Sequence, residues 1–182
     1  ACNGEVVDSP ILPGIINISD NTAKYKFDIE KAKKLLGDAG WKIGADGIRE
    51  KALDAKRPNE LTNFEMRLTT SNWPELISVA NLLSKQWENI GVRVNLEILA
   101  LPELQQAIKD RNYESLLFGE VLSLDPDPFS FWHSSQKRDP GLNLALYDNK
   151  QADKLLEEAR QTLDKGVRHG KYEELQKIIS DD

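Results

Sequence analysis

The residues with the most distinctive chemistry in this chain are two histidines, one cysteine, four tryptophans and a proline-stiffened acidic turn. His133 and His169 fall on different elements, and neither has a second histidine or a cysteine at ligand spacing. A metal site needs about three or four converging ligands. Both histidines therefore read as surface or boundary residues, and no metal or other cofactor is expected. Cys2 stands alone, so it can neither close an internal disulfide nor build a zinc site. Its flank, Asn3-Gly4-Glu5, only weakly resembles a lipid-anchor signal, and an internal cysteine is the plainer reading. No serine sits in a Gly-x-Ser-x-Gly elbow, and no glycine-rich loop joins a strand to a helix to cradle phosphate. A glycosidase needs two carboxylates facing each other across a cleft. Asp125 and Asp127 instead share one turn, each before a proline, which makes turn-shaping their first role. No catalytic residue is assigned.

Binding residues are easier to nominate. A tryptophan offers a broad flat surface and one N–H donor, which suits stacking on a peptide side chain or a sugar ring. Trp73 and Trp132 each fall near the carboxyl end of a predicted strand, whereas Trp41 and Trp87 fit helix packing. The candidate ligand-binding set is Trp73, Glu120, Ser123, Asp125 and Trp132. Packing between helix and sheet is the competing role for both nominated tryptophans.

The elements that would position these residues follow from hydrophobic period. Residues 3–26 hold Pro10, Pro13 and Gly14 with no sustained period, and read as an extended arm over a surface. Asp28 can cap a helix carrying Ala32, Leu35, Leu36 and Ala39, closed by Gly40. Residues 42–63 are polar and read as a turn or small hairpin followed by a surface loop. Phe64, Met66 and Leu68 alternate with polar residues as a strand does. Asn72 is the expected cap of a helix through Leu76, Ala80, Leu83 and Trp87, which Gly91 ends. Val92 to Ile98 predicts a second strand, Leu101 to Ile108 a second helix, and Tyr113 to Val121 a third strand. Leu116-Leu117-Phe118 is apolar on both faces, so that third strand is expected at the sheet centre. Asn149 can cap a helix through Ala152, Leu155, Leu156, Ala159 and Leu163, and a last helix carries Tyr172, Leu175, Ile178 and Ile179. Glu157, Glu158, Glu173 and Glu174 are expected to pair with lysines on solvated helix faces.

Strand, helix, strand, helix, strand is an α/β order. It predicts an open, mainly parallel or mixed sheet with flanking helices. Ligands meet such sheets at the carboxyl ends of the strands. Here those ends are Thr70 to Trp73, Leu99 to Leu101, and Glu120 to Asp125. The 182 residues, 40% hydrophobic and 30% charged, can bury a core. A net charge of -6 argues against nucleic acid as a partner. No apolar run reaches the roughly 20 residues that cross a bilayer. Both ends look cut, so the chain is expected to be a fragment of a longer protein, with residues 1–27 an arm and 28–182 a single α/β ligand-binding domain.

The stretch from Tyr25-Lys26-Phe27-Asp28 through Leu35-Leu36-Gly37-Asp38-Ala39-Gly40-Trp41 resembles a signature of the family 5 extracellular solute-binding proteins, the oligopeptide-, dipeptide- and nickel-binding components of ABC importers. Ser9-Pro10-Ile11-Leu12-Pro13 upstream, Leu83 to Val94 with its Ile90-Gly91-Val92, Asp125-Pro126, Tyr147-Asp148-Asn149 and Arg168 to Ile179 continue the likeness in order. The resemblance implies one lobe of a two-lobe, periplasmic-binding-protein-like fold that closes on a solute. It implies an extracytoplasmic, monomeric protein that hands an oligopeptide or similar small solute to a membrane permease. Any membrane attachment would come through a lipid anchor on the full-length protein.

Peptide-binding members carry an aspartate shortly before the Asp-Pro motif, which pairs with the peptide amino terminus. Aligned on Asp125-Pro126, that place falls near Leu122-Ser123, and the nearest acids are Glu120 and Asp125. A buried ammonium without a carboxylate costs several kcal/mol, so a sugar or a metal chelate stays open as ligand. Two further readings also stay open: the sensor lobe of a cytoplasmic transcription regulator, and a carbohydrate-binding member or hydrolase.

Overall fold

The computed structural model describes residues 4, 6–12, 14, 16, 22, 24–121 and 127–182. Contacts divide the chain into two compact units, Lys26–Gly119 and Ala1–Tyr25 with Glu120–Asp182. The first is built on a sheet and the second on helices.

The sheet unit begins with α1 (Ile29–Asp38). Asp28 caps it by accepting from Lys31 N at 2.9 Å. Gly40 takes the left-handed conformation, φ +89°, and Trp41 N reaches back to Leu36 O at 2.9 Å. Beyond it the polar stretch is more ordered than the sequence suggests. β1 (Lys42–Ile43), β2 (Arg49–Ala52) and β3 (Leu61–Asn63) form an antiparallel sheet in that order. Its strands are short and polar, so the apolar alternation that marks a strand is missing.

Arg49 organises this region. It is 6% exposed and donates to Ile90 O and Trp41 O, both at 2.7 Å, and to Lys33 O at 3.3 Å. The Trp41 and Ile90 carbonyls lie just past the C-terminal ends of α1 and α2 (Pro74–Glu88), where the helix dipole is negative, and the Lys33 carbonyl lies within α1. Gly91 lies against it at φ +84°, where a Cβ would stand 2.8 Å from Ile43 Cδ1 and 3.0 Å from Arg49 Cγ. Only glycine fits both the backbone and the space.

The main sheet is parallel. β4 (Glu65–Ser71) lies between β5 (Arg93–Leu99) and β6 (Ser115–Leu117), with α2 and α3 (Leu101–Asp110) in the connections. The register pairs Leu68 with both Leu96 and Ser115, and Thr70 with Ile98 and Leu117. The expected third strand shrinks to three residues and, among the described residues, stands at an edge. The central strand is β4. Its second half is buried through satisfied hydroxyls: Thr69 Oγ1 donates to Glu97 Oε2 at 2.7 Å, and Thr70 Oγ1 to Leu117 O at 2.8 Å. The core gathers Leu68, Ala80 and Val94, with Met66, Leu83, Trp87, Leu96 and Leu117 packed on them. Trp41 lies 4.5 Å from the Phe64 ring, so both tryptophans assigned to packing do pack.

The start of α2 differs by one residue. Trp73, not Asn72, occupies the cap position, because Asn72 N still bonds Leu99 O at 3.0 Å and continues the ladder. Pro74 then supplies the first helical turn.

In the helical unit, α4 (Phe129–Trp132) leads into the short 3-10 helix η1 (Ser134–Gln136), then α5 (Lys150–Gln161) and α6 (Lys165–Asp181). Asn149 Oδ1 caps α5, accepting from Gln151 N at 2.9 Å and Ala152 N at 3.2 Å. Ala152, Leu155, Leu156 and Ala159 form one buried stripe, closed by Tyr172 and Leu175. Leu163 is not part of this stripe: α5 ends at Gln161 and Leu163 is fully exposed, since Asp164 caps α6 instead. The arm contributes to the same core, with Ile11 buried and Ser9 Oγ donating to Gln176 Oε1 at 2.7 Å. Among the described residues no helix is long and apolar enough to cross a membrane.

Candidate functional site

The parallel sheet ends at Ser71, Leu99 and Leu117. Main-chain donors and side chains converge at such an edge because three strands finish together. Ser71 is buried, and its Oγ accepts from Trp73 N at 3.4 Å. That contact fixes the turn into α2. Trp73 itself is 62% exposed. Ile98, Leu101 and Phe118, at or just past the ends of β5 and β6, are also exposed large apolar residues. Glu103 accepts from Ala100 N at 3.1 Å and so holds the start of α3. A rim of exposed apolar side chains above satisfied polar groups can cover the apolar part of a solute without a rearrangement of the core.

Glu120 and Trp132 belong to the helical unit. Glu120 is exposed as a residue, yet partial burial of its carboxyl pushes its pKa above the usual carboxylate value. Ser123 and Asp125 lie outside the described residues. Trp132 is half-buried: it meets the Tyr147 ring edge-on at 5.7 Å and packs against the α5–α6 core. Part of its surface packs and part stays exposed.

Asp127 shapes its turn, with Oδ1 accepting from Phe129 N at 3.2 Å. It also pairs with Arg160, whose Nη2 lies 2.6 Å from Oδ2. His133 is not a boundary residue; it is 8% exposed. Its Nδ1 accepts from Ser135 N at 3.1 Å, and its Nε2 lies 3.4 Å from Glu157 Oε1. Glu157 therefore faces His133, while Glu158 behaves as expected and pairs with Lys171 and Lys154. Sequence reasoning missed Arg160, the one signal being its spacing from Asp153 and Glu157 along α5. Among the described residues no group of three or more histidines, cysteines or acids could hold a metal ion.

The family described as bacterial extracellular solute-binding proteins, family 5 Middle, matches residues 3–141. The chain is 30% identical over 186 residues to the oligopeptide-binding protein AppA of Bacillus subtilis (strain 168), a match covering 99% of the chain and 33% of that protein. It is 29% identical over 184 residues to the probable D,D-dipeptide-binding periplasmic protein DdpA of Escherichia coli (strain K12), covering 99% and 32%. Among solved structures, AppA from Bacillus subtilis in complex with a nonapeptide superposes with a TM-score of 0.86 at 28% identity, over 98% of the chain and 35% of that structure. NikZ from Campylobacter jejuni in complex with Ni(L-His) gives 0.76 at 28% identity, over 90% and 32%. The chain spans about a third of the length of the curated relatives it matches.

Proposed function

The chain belongs to the bacterial extracellular solute-binding proteins of family 5, and from that membership we propose that it supplies part of a cleft that traps an oligopeptide or similar small solute. The full-length protein closes two lobes on the solute and delivers it to the permease of an ABC importer. Closure is driven by contacts the solute makes only in the closed form. Trp73 of the sheet unit, Glu120 and Trp132 of the helical unit, and Ser123 and Asp125 are the proposed solute contacts of this chain. The protein works as a monomer in the periplasm or at the cell surface, any lipid anchor lying on the full-length protein. It binds without transforming its ligand.

The observation that carries this reading is the exposure of Trp73, 62%, at the carboxyl edge of the parallel sheet. An indole exposed there offers a solute a broad apolar face to stack on. Relatives named for oligopeptides support a peptide, and the relative solved with Ni(L-His) keeps a metal chelate in view. Calorimetric titration of the full-length protein with peptides, oligosaccharides and Ni(L-His) tests the reading. Saturable peptide binding without hydrolysis is expected; turnover of the peptide, or binding of none of the three, would overturn it.

A further inference from the structure

We propose that Arg160 is a positioning residue: by holding Asp127 and Phe129 it sets the single-turn helix α4, and with it the indole of Trp132. The link to solute binding rests on Trp132 being a solute contact, as proposed above.

Asp153, Glu157 and Arg160 recur at intervals of three and four residues, so they share one face of α5. Each holds a successive piece of the segment from Asp127 to Ser134. Asp153 accepts from Ser134 N at 2.8 Å and from its hydroxyl at 2.5 Å. Glu157 faces the His133 ring at 3.4 Å. Arg160 grips Asp127 with Nε at 2.9 Å and Nη2 at 2.6 Å from Oδ2, and its guanidinium lies 3.8 Å from the centre of the Phe129 ring. Asp127 Oδ1 accepts from Arg160 Nε and from Phe129 N, each at 3.2 Å, in the turn that opens α4.

A four-residue helix does not sustain itself, because one turn does not recover the cost of nucleation. Packing of Phe129 and Trp132 on the α5–α6 core seats it, and ties at its two ends, both to one face of α5, refine its orientation. Arg160 forms the tie at the start. Its two side chains are nearly half exposed, 44% for Arg160 and 47% for Asp127, and an ion pair so wet adds little to overall stability. Its value lies in geometry. The planar guanidinium presents a fixed fork of donors to the carboxylate while it lies over the ring, a pairing that a lysine's point charge does not reproduce.

The test uses the full-length protein with Arg160→Gln, Arg160→Lys, Asp127→Asn and the double variant Asp127→Asn/Arg160→Gln. Two quantities are read: capture of an equimolar pool of tripeptides to nonapeptides, and acrylamide quenching of Trp132, taken as the difference from Trp132→Phe protein. Each single variant is expected to capture peptide about tenfold more weakly. Quenching of Trp132 should rise, and the melting temperature should move by no more than about 2 °C. The double variant should be no weaker than either single one. Unchanged quenching and capture in Arg160→Gln, or full rescue by Arg160→Lys, would overturn the inference and leave the proposed function standing. Raised quenching in a protein whose wild type captures no peptide would support the positioning of Trp132 and overturn a peptide as the solute.

Discussion

Trp73 carries the binding argument at the scale of single residues. Its indole is 62% exposed, so Trp73→Ala should leave the melting temperature within about 2 °C of wild type. Solute binding should weaken by about 1–3 kcal/mol, read by calorimetry. Glu120 makes a pH prediction. Partial burial raises its folded pKa above the usual carboxylate value. Its neutral form is the favoured one in the fold, so its contribution is present below the unfolded pKa and is lost as pH rises through the folded value. Glu120→Gln should flatten that decline in urea-melt stability between the two values. A decline of equal slope in the variant would assign it to another group. The place of Trp73 just past a strand end was legible because the strand order alone predicts where the strands finish. His133 and Arg160 were not. Their partners, Asp153, Glu157 and Asp127, sit on another element, and spacing within one segment cannot report such a meeting.

At the scale of elements, caps and glycine stops were the readable part. Asp28, Gly40, Gly91 and Asn149 all do what their types suggest. The errors share a cause, which is that tertiary pairing outweighed local pattern. Asn72 stayed in the ladder with Leu99 and gave up the cap. β4 took the centre with buried threonines, while the more apolar Leu116-Leu117-Phe118 stayed near an edge. β1 to β3 were masked by polar sequence, since backbone pairing and Arg49 hold them. Arg49→Ala should therefore destabilise the chain by about 3 kcal/mol, through carbonyls left without a donor. Hydrogen exchange should show the loss in α1, β2 and the end of α2. Gly91→Ala adds a Cβ within 3.0 Å of two side chains at φ +84°. A cost of about 2 kcal/mol or more is expected in denaturant melts.

At the scale of the whole molecule, the α/β class and the family were legible from the order of motifs, and the family match over residues 3–141 establishes that membership. The ligand was not legible, because an exposed tryptophan suits a peptide side chain and a sugar ring alike. The chain covers 33% of its oligopeptide-binding relative from Bacillus subtilis, so the account treats it as one side of a clamp. The most direct measurement titrates the same peptide pool into the full-length protein and into this 182-residue chain alone, with circular dichroism to verify that the chain is folded. Tight, saturable binding is predicted for the full-length protein, and binding at least about a hundredfold weaker for the folded chain, which lacks the opposing contacts. Equal affinity in the two would contradict the account.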